Sequence, residues 1–466
     1  MPSYRLTPEP TAVRGAIIVG DPTQRRIDRI LLGQNAESGE LREIWLDISG
    51  EQVFAAFGKR GTGKSYTLGV LIEGLTAGQG ESRIANLQTP RGGLVFDIMD
   101  IYWTSTIPLH SDGSAEIRKQ YDVMHKRGFS SQPLNIDVWM PAGFENCEID
   151  PSGINSLRIS PADLSIDDWA ALFEVDIYNE PRGMLIADAI QHVSSTGYRR
   201  QDGATVAPLG SYGFPELLAC LQDDSDLQAN YQSATLRAVR QRLITFASLA
   251  LFQGTGTTLA QIIQPFRTAV LMLARVPDAL KKVVVSVLLR GIIRNRRDVS
   301  LATKRLDLDS ALGATERDRL SGFIHAGLPR TWVFLDEAHV LAGAGEGSVA
   351  ADAIVKYAKE GRNYGLSLAV ATQQPSALDQ RLLSQVETLV SHQLTSPVDA
   401  SLAARSVRSP IPATIQIDGE EADLEGLLRR LGQGEAVFSC GNAPSLARAC
   451  VMAVRPRVTA HGGYEA

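Results

Sequence analysis

Residues 53–65 read Val53-Phe54-Ala55-Ala56-Phe57-Gly58-Lys59-Arg60-Gly61-Thr62-Gly63-Lys64-Ser65. The unbroken apolar run at the start suits a strand buried on both faces. The rest satisfies G-x-x-x-x-G-K-[ST], and Tyr66 to Leu75 continues with helical spacing. Strand, glycine-rich turn and helix in that order predict a phosphate-binding loop. Glycine lets the backbone curl so that successive N–H groups point inward at an anion, and the helix N-terminus adds its dipole. The candidate nucleotide-binding residues are Gly58, Lys59, Arg60, Gly61, Thr62, Gly63, Lys64, Ser65 and Tyr66. The spacing assigns Lys64 to the β- and γ-phosphates and the Ser65 hydroxyl to Mg²⁺, so ATP and Mg²⁺ are the expected ligands.

A second half-site is expected far downstream. Trp332-Val333-Phe334-Leu335 ends in Asp336-Glu337, a buried strand whose C-terminal edge presents carboxylates. Asp336 is the expected metal residue and Glu337 the group that polarises the attacking water. Ala371-Thr372-Gln373-Gln374-Pro375 ends another apolar run in amides, and Gln373 is nearer the strand end, where it suits a γ-phosphate contact. Arg362, in Glu360-Gly361-Arg362-Asn363-Tyr364-Gly365, is expected in a turn between helix and strand. It reads equally as a solvated arginine at a helix C-terminus or as an arginine finger acting across a subunit boundary.

Other buried-strand candidates are 94–96, 136–139, 269–273, 368–371 and 388–390, with helical stretches between many of them. That alternation predicts an α/β fold with an open, mainly parallel sheet. A β-rich segment at residues 1–50 precedes it, with strands at 16–19, 29–32 and 43–46 and turns at Gly20-Asp21-Pro22 and NAESGE. The core is expected in two parts, 51–158 and 266–453. Between them, 159–265 reads as an all-helical insertion, and 454–466 as a polar, partly mobile tail.

Together these residues resemble the HerA-like ATPases of the HerA–FtsK superfamily, over about residues 43–465, and the resemblance implies a RecA-like P-loop core. The resemblance is strongest in FLDEAHVLAG and KEGRNYGLSLAVATQQPSALDQRLLSQVETLVSHQLTSP, and extends to GKRGTGKSYTLGVLIEGL, LGQGEAVFS and His461-Gly462-Gly463. It implies that Lys64, Ser65, Asp336, Glu337 and Gln373 carry the ATPase roles and that Arg362 is the intersubunit finger. Asp97-Ile98-Met99-Asp100-Ile101-Tyr102 resembles the family's D-x-x-G-E-Y, without its Gly and Glu. Further implied are a homo-hexamer, double-stranded DNA as the polymer moved, and a separate nuclease or other effector as partner. The alternative reading is a hexameric ATPase scaffold that regulates an anti-phage defence effector with little translocation.

Composition narrows the classes. Charged residues are 21% and the net charge is −6, so any nucleic-acid contact must be local rather than spread over the surface. No apolar run approaches the ~20 residues of a membrane helix, and the start lacks a signal-peptide pattern. Cys147, Cys220, Cys440 and Cys450 show no CxxC pairing, which predicts buried free thiols in a reducing cytoplasm. The acidic pair lies too far from Lys64 for a DEAH-box helicase, and no LSGGQ-type segment marks an ABC ATPase. His339 has no neighbours at metal spacing and reads as a sheet-edge histidine. Lys281, Lys282, Arg290, Arg294, Arg296 and Arg297 on one helix, and Arg237, Arg240 and Arg242 in the insertion, read equally as DNA-facing or as solvated.

Overall fold

The computed structural model describes residues 16–19, 28–37, 42–345, 347–407, 411, 414–417, 420–441 and 449–463. The turn expected at Gly20-Asp21-Pro22, much of NAESGE, and the last three residues of the tail lie outside these. A single large sheet organises the chain. Across it run Ile17–Val19, Glu43–Asp47, Arg29–Asn35, Ala449–Val454, Glu435–Cys440, Thr388–Ser391, Val53–Phe57, Leu366–Thr372, Arg330–Leu335, Arg91–Asp97, Thr268–Met272, Ile136–Pro141 and Asn155–Leu157. From Thr388–Ser391 to Asn155–Leu157 every neighbouring pair is parallel. The connections on the other side are mostly antiparallel.

The continuous apolar runs follow from burial on both faces. Alternate residues of a strand point to opposite sides. Val53, Ala55 and Phe57 enter the core shared with the helical insertion and helix Asp278–Leu308, while Phe54 and Ala56 enter the core under helix Lys64–Leu75. Val333 and Leu335 divide from Trp332 and Phe334 in the same way. With water excluded from both faces, no polar alternation survives, and each large side chain contributes about 1.5–3 kcal/mol of burial.

Three features differ from expectation. The β-rich residues before the phosphate loop extend the core sheet, because Arg29–Asn35 pairs with Ala449–Val454. The insertion is not wholly helical: Tyr198–Arg199 and Thr205–Val206 form a small hairpin, and His192–Thr196 is a π-turn. The tail is anchored rather than loose. Arg455 and Arg457 are among the largest fully buried side chains, and both pair with Glu73 on helix Lys64–Leu75. Composition misled here because a charged residue reads as solvated unless its partner is known, and this partner lies almost the whole chain away. The thiols also differ in part: all four are free, but Cys147 is exposed.

Several basic residues are spent inside the fold. Asp168 closes a capping box with Ser165 on helix Ile166–Phe173 and also binds Arg290, tying the insertion to helix Asp278–Leu308. Arg296 donates to the carbonyls of Tyr364 and Leu328 at 2.9 and 2.7 Å. Arg242 lies over Phe173 and Phe246 and donates to the Leu172 carbonyl.

Candidate functional site

Parallel strands place their C-terminal ends on one edge, where open α/β sheets hold ligands. Leu366–Thr372 lies between the phosphate-loop strand and the acidic strand, so all three deliver their next residues to that edge. Phe57, Leu335 and Thr372 are thus followed there by the loop, by Asp336-Glu337 and by Gln373.

The loop's shape is set by close neighbours. Gly63 has φ +120° and caps helix Lys64–Leu75. A Cβ on Gly58 would stand 2.8 Å from the His392 side chain, and one on Gly63 3.1 Å from it. His392 is fully buried beneath the loop. Its Nδ1 lies 2.9 Å from the Glu435 carbonyl, which only accepts, so Nδ1 donates and Nε2 accepts from the Thr67 hydroxyl at 2.8 Å. Burial pushes the imidazole down to about 4. The loop is braced from outside as well. The Gly434 N–H donates to the Thr62 carbonyl at 3.2 Å and the Gln433 side chain to the Gly61 carbonyl at 3.3 Å. That brace belongs to the LGQGEAVFS stretch.

Lys64, buried, meets Glu337 at 2.7 Å from Nζ to Oε1. The Gln373 side-chain amide donates to the same carboxylate oxygen, and its backbone N–H to Oε2 at 3.3 Å. Glu337 reaches them from a left-handed backbone, φ 46° and ψ 49°, a conformation that costs a non-glycine residue about 1–3 kcal/mol. Asp336 accepts from the Glu337 N–H at 2.9 Å and from the Tyr102 hydroxyl at 2.9 Å. The same phenol reaches the Ser65 carbonyl at 3.3 Å, so one side chain spans the two expected metal residues. Hydroxyl and carboxylate oxygens are the hard donors that Mg²⁺ takes, and Ser65 and Asp336 fit it. His339, beside the acids, meets the Thr372 hydroxyl at 3.1 Å, which is the sheet-edge placement.

Tyr102 is held by Asp97, whose buried carboxylate accepts from the N–H groups of Met99, Ile101 and Tyr102 at 3.3, 3.2 and 2.7 Å. Burial pushes this carboxyl up to about 7. Asp100 has φ 53°, the region glycine favours, at the position where the resembling motif carries Gly. Its Oδ1 is buried without a hydrogen-bond partner among the described residues.

Two expected residues stand apart. Arg362 sits in the last turn of helix Val349–Tyr364, not in a loop, and pairs with Glu387 while 61% exposed. The Glu387 N–H bonds Val53, at the opposite end of the phosphate-loop strand from Gly58. Val53 and Gly58 are separated by roughly 16 Å at about 3.3 Å rise per residue, so Arg362 pairs at the end of the strand away from its own chain's loop. The Tyr66 side chain turns to the C-terminal segment: its hydroxyl accepts from the Arg457 N–H at 2.7 Å and its ring meets His461 edge-on at 5.2 Å. Its aim is a matter of helical rotation, since one residue beyond Ser65 faces about 100° away.

His392 and Tyr102 join the site without a motif of their own to announce them. His392 carried a signal: like Asp336 and Gln373, it is polar and ends a buried strand. Tyr102 closes the DIMDIY stretch.

The family model described as "Helicase HerA, central domain" matches residues 34–292. A DNA double-strand break repair helicase HerA of Pyrococcus furiosus is 29% identical over 189 residues, 40% of this chain and 32% of that protein. One of the same description from Saccharolobus solfataricus is 28% identical over 104 residues, 22% of this chain and 19% of that protein. The matched segment thus spans about a third of the length of the first relative and a fifth of the second. The solved structure of VirB4 of Thermoanaerobacter pseudethanolicus aligns over 91% of this chain and 96% of that one, at 17% identity and a TM-score of 0.49. No helix among the described residues is long and apolar enough to cross a membrane.

Proposed function

The chain belongs to the HerA helicase central-domain family, and from that premise we propose a ring-forming, Mg²⁺-dependent, cytoplasmic ATP hydrolase that moves double-stranded DNA. The observation that carries this reading is the meeting of Lys64, Asp336, Glu337 and Gln373 at one sheet edge, beside a braced phosphate loop.

The chemistry follows from those contacts. The loop N–H groups and the Lys64 ammonium bind the phosphates. Ser65 and Asp336 would hold Mg²⁺, which would supply charge neutralisation for the phosphates. Tyr102 keeps Asp336 turned toward Ser65. Lys64, Gln373 and His339 all meet the Glu337 carboxylate, and phosphate competes for the first of them. When the ammonium turns to the γ-phosphate, Glu337 keeps Gln373 and gains a free lone pair to orient and deprotonate water. Gln373 thereby couples the state of the γ-phosphate to the strand behind it. The exposure of Arg362, and its pairing at the end of the strand away from its own loop, support a role at a neighbouring subunit of a homo-hexamer. A separate nuclease or defence effector is the expected partner.

A second reading, a ring scaffold regulating a defence effector with little translocation, draws support from the internal commitment of Arg290, Arg296 and Arg242. Duplex DNA added to an ATPase assay separates the two. Stimulation supports the motor; none, with a stable effector complex, supports the scaffold. Lys64→Ala and Glu337→Gln lower turnover at least a hundredfold on either reading, and normal turnover in Lys64→Ala sinks the site assignment. Mixing Arg362→Ala with Glu337→Gln subunits tests action in trans: mixed rings more active than either parent support it, and no gain removes it.

A further inference from the structure

The helical insertion gathers an imidazole, a thiol and a carboxylate away from the nucleotide site. His192, Cys220 and Asp224 bring one ligand atom each to within 4.8 Å of one another. His192 Nδ1 lies 2.6 Å from Asp224 Oδ2, and Cys220 Sγ lies 3.7 Å from the same oxygen. Cys220 and Asp224 are four residues apart at the end of helix Phe214–Asp223, which puts both on one face. His192 follows helix Pro181–Gln191 and opens the π-turn His192–Thr196; such turns are often found at functional sites. The carboxylate is aimed. Its Oδ1 caps helix Ser225–Asn230, accepting from Asp226 and Leu227 at 2.8 and 3.3 Å, which leaves Oδ2 to the imidazole and thiol. Cys220 and Asp224 are fully buried, and the His192 side chain is 24% exposed.

A buried cysteine ordinarily packs as a small hydrophobe. This one instead meets a carboxylate that also holds a histidine. We propose that His192, Cys220 and Asp224 form a three-ligand site for a zinc-class divalent ion, its fourth position open to water past the exposed edge of His192. Sulfur and imidazole donors select such an ion over Mg²⁺ or Ca²⁺. Tetrahedral ligands at zinc distances stand roughly 3.3–3.7 Å apart. The sulfur–oxygen separation already suits this, and the His192–Asp224 hydrogen bond opens by under 1 Å when the ion replaces its proton. Binding releases the thiol proton to solvent, and the neutral imidazole gives up its Nδ1 proton to solvent and takes one up on Nε2, the tautomer that frees Nδ1 to ligate. The ion joins the C-terminal ends of two helices to the N-terminus of a third, so it clamps the insertion and takes no part in hydrolysis.

The test uses the whole chain, stripped with chelator and held in excess Mg²⁺ to occupy the nucleotide site. Titration with Co²⁺ is expected to give a thiolate-to-cobalt charge-transfer band and tetrahedral visible bands at one ion per chain, both erased by Zn²⁺. The charge-transfer band disappears in Cys220→Ser and persists in Cys147→Ser and Lys64→Ala. Should Cys220→Ser fail to fold, His192→Ala replaces it, with the expectation that Zn²⁺ raises the melting temperature of the natural chain but not of this variant. No charge-transfer band, one that survives Cys220→Ser, or a zinc shift equal in His192→Ala overturns the proposal and leaves a buried His–Asp pair. These readouts do not depend on ATP turnover.

Discussion

Glu73→Gln is expected to destabilise the chain more than any exposed charge substitution. Glu73 is on helix Lys64–Leu75, and five donors converge on its carboxylate. Arg455 Nη1 lies 2.7 Å from Oε2. Arg457 Nε, the N–H groups of Val458 and Thr459, and the Thr459 hydroxyl reach Oε1 at 3.2, 3.0, 3.0 and 2.7 Å. No side chain of the Glu73–Arg455–Arg457 triad is more than 1% exposed. An amide keeps the shape, removes the charge, and turns its own donors on a cluster that holds only donors. Two guanidiniums are then buried without a counter-charge, at a cost of about 3–5 kcal/mol. Unfolding entropy of roughly 2.1 cal/mol/K per residue gives this chain about 1 kcal/mol/K, so melting as one unit falls by about 3–5 °C. The exposed Arg83–Glu43 pair is the control, since Arg83→Ala is expected to cost under about 1 kcal/mol. Scanning calorimetry with guanidinium titration measures both. A Glu73→Gln midpoint within about 1 °C of the natural chain refutes the reasoning. So does a triple Met substitution at Glu73, Arg455 and Arg457 that is less stable than Glu73→Gln, because removing all three charges relieves the unpaired ones.

Two pH predictions follow from buried groups at the site. Asp97, raised by burial from 3.8 to about 7, binds a proton in the folded chain over a range where the unfolded chain has lost it. Stability from this site therefore falls as pH rises from about 4 to about 7 and is flat above; urea midpoints at pH 5 and pH 8 should diverge between the natural chain and Asp97→Asn, and parallel values count against it. His392 has the opposite sense. Its folded value of about 4 lies below the unfolded 6.5, so stability is complete above pH 6.5 and is lost as pH falls toward 4. His392→Gln is expected to flatten the acid limb of the stability curve over that window, and an unchanged slope rejects the assignment.

The sequence by itself determined the nucleotide half-sites and the sheet class. Gly58 to Ser65 and Trp332 to Glu337 are short segments whose chemistry is local: glycine frees the backbone, apolar runs select buried strands, and the polar residues that end those runs fall on one edge whatever the strand order. Tertiary structure decided which groups meet. That Glu337 contacts both Lys64 and Gln373 depends on Leu366–Thr372 lying between the other two strands and on a left-handed backbone at Glu337, neither of which leaves a local pattern. Arg362 faces away from its own loop because the helix carrying it returns to the far edge of the sheet. The C-terminal arginines looked like a solvated tail because a charge is legible as buried only with its partner, and Glu73 is a whole fold away along the chain. The Gly58–Ser65 loop is therefore fixed by its own residues in shape and chemistry, and by His392, Gln433 and Gly434 in rigidity.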